Sequence, residues 1–250
     1  MSIFIIADLH LSANTQTLNT EFEMFCNKLK KGDELYIIGD FLAYFIGIEN
    51  FTNSIHSQIK QITARLHNLA IPVYFIHGNR DFLMTSQMAT ELGFILLPDT
   101  YTLDVYNQKI LLLHGDELCT KHISYTCFRK FSRVKLFQKI FLALTTENYR
   151  KKIAENMRKN SQKKFNTHQV KEKINQDLAI KYLKRFNCNV LIHGHTHDVS
   201  TTLYQDKKLI DTGDWREDSY TFIEIKAQEP SIFIYRKFYN SDAIELISKE

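Results

Sequence analysis

The sequence predicts an α/β fold in layers, and three observations predict it. Five short, continuous apolar runs rich in β-formers punctuate the chain, at residues 3–7, 35–38, 73–76, 110–113 and 190–192. Continuous rather than alternating runs suit strands buried on both faces. Segments with helical patterning lie between them, at residues 19–30 and 53–69, and strand–helix alternation points to α/β layers. Finally, 44% of the 250 residues are hydrophobic, enough for one sizeable core or one large domain carrying an insertion. With 24% charged residues, 3 Pro and 8 Gly, disordered and collagen-like chains are excluded.

The longest apolar runs, at residues 3–7 and 110–113, are strand-sized and far short of the roughly 20 residues of a membrane span. The chain starts Met1-Ser2-Ile3-Phe4-Ile5-Ile6 and turns polar at Asp8 without a basic leader, so no secretory signal is expected. Cys26, Cys119, Cys127 and Cys188 form no CxxC pair, and reduced thiols packed as small apolar side chains in the cytoplasm are expected.

Each apolar run leads into polar residues of one chemical kind. Residues 3–7 lead into Asp8-Leu9-His10, and residues 35–38 into Gly39-Asp40. Residues 73–76 precede His77-Gly78-Asn79-Arg80-Asp81, and residues 110–113 precede His114-Gly115-Asp116. The last run opens onto His193-Gly194-His195-Thr196-His197. Ligands in such folds gather beyond the carboxyl ends of strands, where all five clusters fall. In extended backbone, residues i and i+2 point the same way, so Asp8 and His10 can reach one site, as can His195 and His197. Carboxylate, amide and imidazole donors without thiolate favour Mn²⁺, Fe²⁺ or Zn²⁺. Seven candidates exceed one tetrahedral ion but suit two ions bridged by Asp40, the arrangement for phosphoryl displacement.

Charge is unevenly spread. Residues 121–185 hold 18 Lys/Arg against 4 Asp/Glu, so this segment is +14 and the remainder −10. Phe128, Phe131, Val134, Phe137, Ile140, Phe141 and Leu144 recur at helical spacing, with Arg129, Lys130, Arg133, Lys135 and Lys139 around them. No glycine or proline interrupts the segment, which predicts several helices. A basic amphipathic helix suits an anionic membrane surface, and nucleic acid is the alternative anionic partner.

The ordered set Asp8-Leu9-His10, Gly39-Asp40, Gly78-Asn79, His114-Gly115-Asp116 and Gly194-His195-Thr196-His197 resembles the calcineurin-like metallophosphoesterase family. The resemblance implies a two-sheet β-sandwich flanked by helices in place of a plain doubly wound sheet. It carries metal-ligand roles to Asp8, His10, Asp40, Asn79, His114, His195 and His197, and catalytic roles to Asp40, Asn79, Arg80 and His195. His193 matches no family ligand and reads as structural.

Three longer segments, at residues 7–12, 74–83 and 114–120, resemble the lipid A pathway diphosphatases that act on UDP-2,3-diacylglucosamine. The similarity runs over most of the chain and weakens after about residue 199. It implies water attack on the α-phosphorus, releasing UMP and 2,3-diacylglucosamine 1-phosphate, with two divalent ions, Mn²⁺ expected. It also implies a metallophosphoesterase core at 1–119 and 186–250, with an inserted basic helical cap at 120–185. The cap's Arg158-Lys159-Asn160-Ser161 resembles that family as well. Headgroup contacts then fall to Asn79, Arg80, His122, Ser161, Phe165, His168 and His195, and lipid contacts to Phe82, Phe128, Phe137 and Phe141. The chain departs from the family at Ala43, where an acidic residue is usual, at His122 for Asp, and at Phe165 and His168 for Asn and Lys. The expected location is cytoplasmic, peripheral on the inner face of the bacterial inner membrane, without nucleic acid or an obligate protein partner.

Arg80 bears on the substrate. Many relatives place His after Gly-Asn, whereas Arg offers a fixed fork of donors but no transferable proton at working pH. A phosphate leaving group needs no protonation, so a diphosphate fits Arg better than an alkyl ester does. The rival readings are a nuclease or phosphodiesterase using the same ligands, and a non-catalytic binding protein of the same fold.

Overall fold

The strands follow from apolar runs that cover both of their faces. The computed structural model describes residues 1–47, 54–106, 108–119, 129, 131–156, 173–227, 229–239, 241 and 243–250. Strand β1 (Ser2–Ile6) sends Ile3 and Ile5 to one buried cluster and Ile6 to another. Strands β2 (Glu34–Ile38) and β3 (Val73–Ile76) divide their side chains in the same way, Ile38 and Ile76 to the first cluster, Ile37 and Phe75 to the second. Each fully buried Ile or Phe contributes about 1.5–3 kcal/mol relative to exposure, so these runs are stable only between two layers.

Two sheets result. The larger is completed by β4 (Ile95–Leu96), β10 (Ser219–Lys226), β11 (Glu229–Phe238) and β12 (Ile244–Lys249), in the order β12-β11-β10-β1-β2-β3-β4. The smaller contains β5 (Thr100–Val105), β6 (Gln108–Leu113), β7 (Val190–His193), β8 (Ser200–Tyr204) and β9 (Lys207–Asp211), ordered β5-β6-β7-β9-β8. β1 to β4 run parallel, as do β6, β7 and β9. The cluster between the sheets joins Ile3, Ile5 and Ile223 to Ile110, Ile192 and Ile210. This is the two-sheet sandwich, not one doubly wound sheet.

Helices cover both outer faces. Helix α1 (Gln16–Asn27) and helix α2 (Ser54–Asn68) bury Phe22, Phe25, Ile59 and Ile62 against the larger sheet. Helix α1 starts three residues before the expected 19 because a turn at residues 12–15 launches it. There the Ser12 amide donates to Thr15 Oγ1 at 2.8 Å, and Asn19, already inside the helix, donates back to Ser12 O at 2.8 Å. The short helix α3 (Ser86–Glu91) is capped by Thr85, whose hydroxyl accepts from the Met88 amide.

Further helices lie in the basic segment. Helix α4 (Lys135–Leu144) buries Gln138, which donates to Phe82 O at 2.8 Å, and residues 147–156 are also helical. Arg150 is buried there and donates to Ile46 O at 2.6 Å and Leu142 O at 3.1 Å. Helix α5 (Gln176–Phe186) spans the expected cap boundary at 185. Its Ala179, Ile180 and Leu183 pack on Leu111, Leu113, Leu191 and Leu209, so it is the outer layer of the smaller sheet. Asn175 caps its start and Asn187, in left-handed backbone, ends it. Among the described residues, no helix is long and apolar enough to cross a membrane.

Candidate metal centre

The parallel strands β1, β2, β3, β6 and β7 deliver their carboxyl ends to one cleft, and the expected ligands meet there. Asp8, His10 and His197 form one group whose donor atoms all lie within 4.8 Å, and Asp8, Asp40 and His114 form a second. In the first, His10 Nε2 faces His197 Nε2 at 3.4 Å, with Asp8 Oδ1 3.3 Å from the latter and 3.9 Å from the former. In the second, His114 Nε2 lies 3.0 Å from Asn79 Oδ1 and 3.6 Å from Asp40 Oδ1. Asp8 is common to both groups. Asp40 also lies between them, its Oδ2 4.0 Å from His10 Nδ1. The His195 ring stacks edge-on to His114, centroids 5.1 Å apart.

The local backbone is built for this convergence. Asp8, His10, Asp40, His195 and His197 all have φ between 50° and 70°, and they are half of the ten non-glycine residues with positive φ among those described. Left-handed backbone costs an L-residue about 1–2 kcal/mol, and such strain collects at functional sites. Gly78 and Gly194 are required for close approach. A Cβ on Gly78 would fall 2.2 Å from Asp40 N, and one on Gly194 would fall 2.4 Å from Asp8 Oδ2.

Supporting bonds orient each donor. His114 Nδ1 donates to Ile38 O at 3.0 Å, which leaves Nε2 as the lone-pair nitrogen turned into the site. His197 Nδ1 is held by Asp214 Oδ2 at 3.2 Å. The His195 amide donates to Asp8 Oδ2 at 2.7 Å, and the Arg80 amide to Asp40 Oδ1 at 2.9 Å. Arg80 Nε sits 3.2 Å from Asp40 Oδ2, with 31% of its side chain exposed. Asp81 ties two loops by accepting from Gly78 N at 2.6 Å and Phe41 N at 2.8 Å. His193 is buried at the end of β7, where Nδ1 donates to Gly194 O at 2.9 Å and lies 3.8 Å from Asp211. Both partners belong to the scaffold around that strand end.

The electrostatics are those of a cation site. Burial opposes ionisation of Asp8, but His197, His114 and His10 hold its carboxyl well below the usual range. Burial pushes Asp40 up to about 6 against the pull of the Arg80 guanidinium. Burial alone would lower His197, yet Asp8 and Asp214 raise it to about 10. His10 and His114 are lowered, chiefly by burial. Asp8 Oδ1 and His10 Nδ1 are buried with no hydrogen-bond partner. Two buried carboxylates with three imidazoles, an amide oxygen and orphaned donor atoms fit divalent cations with oxygen and nitrogen preference.

The fold gathers Asp8, His10, Asp40, Asn79, Arg80, His114, His195 and His197 at these strand ends. Of the lipid-contact candidates, Phe82 and Phe141 are partly buried against the core under α1 and α2, and Phe137 stacks between Phe131 and Phe141. His122, Phe128, Ser161, Phe165 and His168 lie outside the described residues. Asp214 was missed. Its only signal is a Gly-Asp pair, Gly213-Asp214, that follows strand β9 as Gly39-Asp40 follows β2.

The profile of the calcineurin-like phosphoesterase family matches residues 1–199. UDP-2,3-diacylglucosamine hydrolase of Proteus mirabilis is 40% identical over 202 residues, covering 79% of this chain and 82% of that protein. The Haemophilus influenzae protein of the same name is 36% identical over 224 residues, covering 89% and 94%. Among solved structures, Vps29 of Chaetomium thermophilum shares the fold at TM-score 0.52 and 13% identity, covering 100% of this chain and 96% of that one. The chain belongs to the calcineurin-like phosphoesterases, in the family of the UDP-2,3-diacylglucosamine hydrolases.

Proposed function

We propose that this chain hydrolyses the diphosphate bond of UDP-2,3-diacylglucosamine, giving UMP and 2,3-diacylglucosamine 1-phosphate in lipid A biosynthesis. The observation that carries the reading is the meeting of Asp8, His10, Asp40, His114 and His197 in two groups of possible metal donors, in a chain 36–40% identical, over most of its length, to hydrolases of that name. Asp8, His10 and His197 would hold one divalent ion, and Asn79, His114 and His195 the other, with Asp40 bridging and Asp8 beside it. Mn²⁺ is the expected metal. Such ions acidify water and neutralise charge on phosphoryl oxygens.

The protein's own groups do the rest. Arg80 is fixed by Asp40 and turns its remaining donors toward the cleft, where they grip the diphosphate oxygens. His195, anchored through its amide to Asp8, contacts the same oxygens. The departing diacylglucosamine 1-phosphate is already a stable anion, so a residue that cannot donate a proton suits this position.

The cap, which we place at residues 120–172, meets the lipid. Ser161, with His122, Phe165 and His168, is proposed to contact the headgroup, and Phe82, Phe128, Phe137 and Phe141 the acyl chains. Leu136, Ile140 and Leu144 are exposed along one side of α4, with the exposed Phe131 and Val134 before them and Lys135 and Lys139 beside them. That combination supports peripheral attachment to an anionic membrane, the cytoplasmic face of the inner membrane.

The test is UMP release from UDP-2,3-diacylglucosamine with added Mn²⁺, alongside bis-p-nitrophenyl phosphate and single-stranded DNA. Metal-dependent UMP release far exceeding the other two activities is expected. Turnover of DNA with an inert lipid would replace the substrate and keep the site. Arg80→Ala is expected to lower kcat on the lipid by about 10²-fold, the scale for one lost anion-stabilising donor. Undiminished activity would remove the clamp.

A further inference from the structure

The basic segment does not turn all its arginines to an anionic partner. Arg129 and Arg133, one helical turn apart, are inserted among three carboxylates behind the metal loops. Arg129 Nε lies 2.7 Å from Asp116 Oδ2, and its Nη2 lies 3.3 Å from Glu117 Oε1 and 3.6 Å from Asp99 Oδ2. Arg133 Nη1 donates to Asp99 Oδ1 at 2.9 Å, and its Nη2 donates to the carbonyl of Gly78 at 2.9 Å. Asp116 is fully buried, and the two arginine side chains are only 18% and 11% exposed.

The chain positions of the partners matter. Gly78 precedes Asn79, and Asp116 follows His114 by two residues. Asn79 Oδ1 lies 3.0 Å from Nε2 of His114, a member of the second ligand group. Gly78 is also fixed by Asp81 through its amide and by the close approach of Asp40. Asp99 extends the network to His77, at 3.4 Å, whose other nitrogen donates to Met84 O at 2.7 Å. Nothing else among the described hydrogen bonds reaches the Gly78 carbonyl.

We infer that Arg133 and Arg129 are positioning residues for the metal centre. Together they brace the Asn79 loop and the His114 loop against each other, so that the segment after β6 completes the second ligand group. This rests on the metal centre proposed above but not on its lipid substrate. Arg is needed rather than Lys because one planar fork must serve Asp99 and Gly78 O at once.

The experiment compares wild type with Arg133→Lys, Arg129→Lys, Arg133→Ala and, as an exposed control on the same segment, Lys152→Ala. Two quantities are read: Mn²⁺ affinity by calorimetry, and kcat and KM on bis-p-nitrophenyl phosphate, a small substrate with no acyl chains. Loss of an outer partner that orients a metal ligand typically reduces metal affinity or activity 10–100-fold, and these arginines act one step further out, through Gly78 and Asp116, so the lower end applies. Arg133→Lys should therefore weaken the weaker Mn²⁺ site about 10-fold and lower kcat with KM nearly unchanged, and Arg129→Lys should do the same more mildly. Lys152→Ala should match wild type. Arg133→Ala removes the charge as well and should show the larger loss; if it fails to fold, the lysine variants still decide. Wild-type Mn²⁺ affinity and kcat in both lysine variants would overturn the inference. So would normal turnover of the small diester with only the lipid activity lost, which would make the arginines a mere tether for the cap. A wild-type protein that binds no Mn²⁺ would remove the metal centre itself, and that outcome is distinct from either.

Discussion

Asp40→Asn should lose metal-dependent turnover by roughly 10³-fold, the equivalent of about 4 kcal/mol of charge stabilisation, yet melt higher than wild type when both are metal-free. The second half follows from the placement of Asp40 among low-dielectric surroundings. Its carboxyl is pushed up from 3.8 to about 6, chiefly by burial and despite Arg80. The folded chain therefore keeps a proton that the unfolded chain has released across this interval. Stability contributed by Asp40 falls as pH rises from about 4 through 6, and above 6 the deficit is constant. Asparagine removes the deficit while still accepting from the Arg80 amide. The metal-free variant should thus gain on metal-free wild type between pH 4 and 6 and hold that gain at pH 7. Added Mn²⁺ stabilises whichever protein binds it in proportion to RT ln(1 + [Mn²⁺]/Kd), so it should reverse the order. Thermal melts with and without chelator at pH 5 and 7 check this. A metal-free variant less stable than wild type at pH 7, or one with near-normal turnover, would contradict the assignment.

Gly78→Ala should be damaging for a different reason, with no change of charge or polarity. The added methyl would sit 2.2 Å from both Asp40 N and Asp40 Oδ1 and 2.9 Å from its Cγ. No rotamer relieves a clash with backbone, so the two ligand loops must separate. Overpacking in a tight interior costs about 1–3 kcal/mol, and here the displacement passes straight to Asn79 and Asp40. Loss of Mn²⁺ binding together with a lowered melting temperature is expected. Gly32→Ala is the contrast. Gly32 has φ +93° but open space around its Cβ position, so it should lose only local stability and retain Mn²⁺ affinity. Normal Mn²⁺ binding by Gly78→Ala would show that the close packing does not set ligand spacing.

Much of this site is legible in the sequence, because its cause is local. A run such as residues 110–113 is buried on both faces, and a continuous apolar stretch records that directly. The ligands follow each run at once, so strand ends and donors are read together. The C-terminal strands β10 to β12 were not anticipated. They carry charged residues such as Glu224 and Lys237 among apolar ones, and they pair antiparallel at the edge of the larger sheet. Their place depends on β1 accepting a partner more than 200 residues away, which no local pattern encodes. The two arginines failed for a related reason. Arg129 and Arg133 are indistinguishable in sequence from Lys135 and Lys139, which are exposed, until Asp99, Asp116 and Glu117 are folded behind them. The charge of helix α5 likewise conceals its inner face, where Ala179, Ile180 and Leu183 pack on the smaller sheet.

One consequence concerns the lifetime of the fold. Asp8, His10, Asp40 and Asn79 hang from the larger sheet, and His114, His195 and His197 from the smaller. An ion held among them would rivet the sandwich across its open end, joining positions as distant in the chain as His10 and His197. Such a join can close only after the sheets have docked, late in folding, and interactions absent from the transition state act on the unfolding rate. Metal starvation would then do more than silence the protein. It would let the two halves part sooner and expose the chain to proteases, so that the pool of this protein falls along with the supply of its ion.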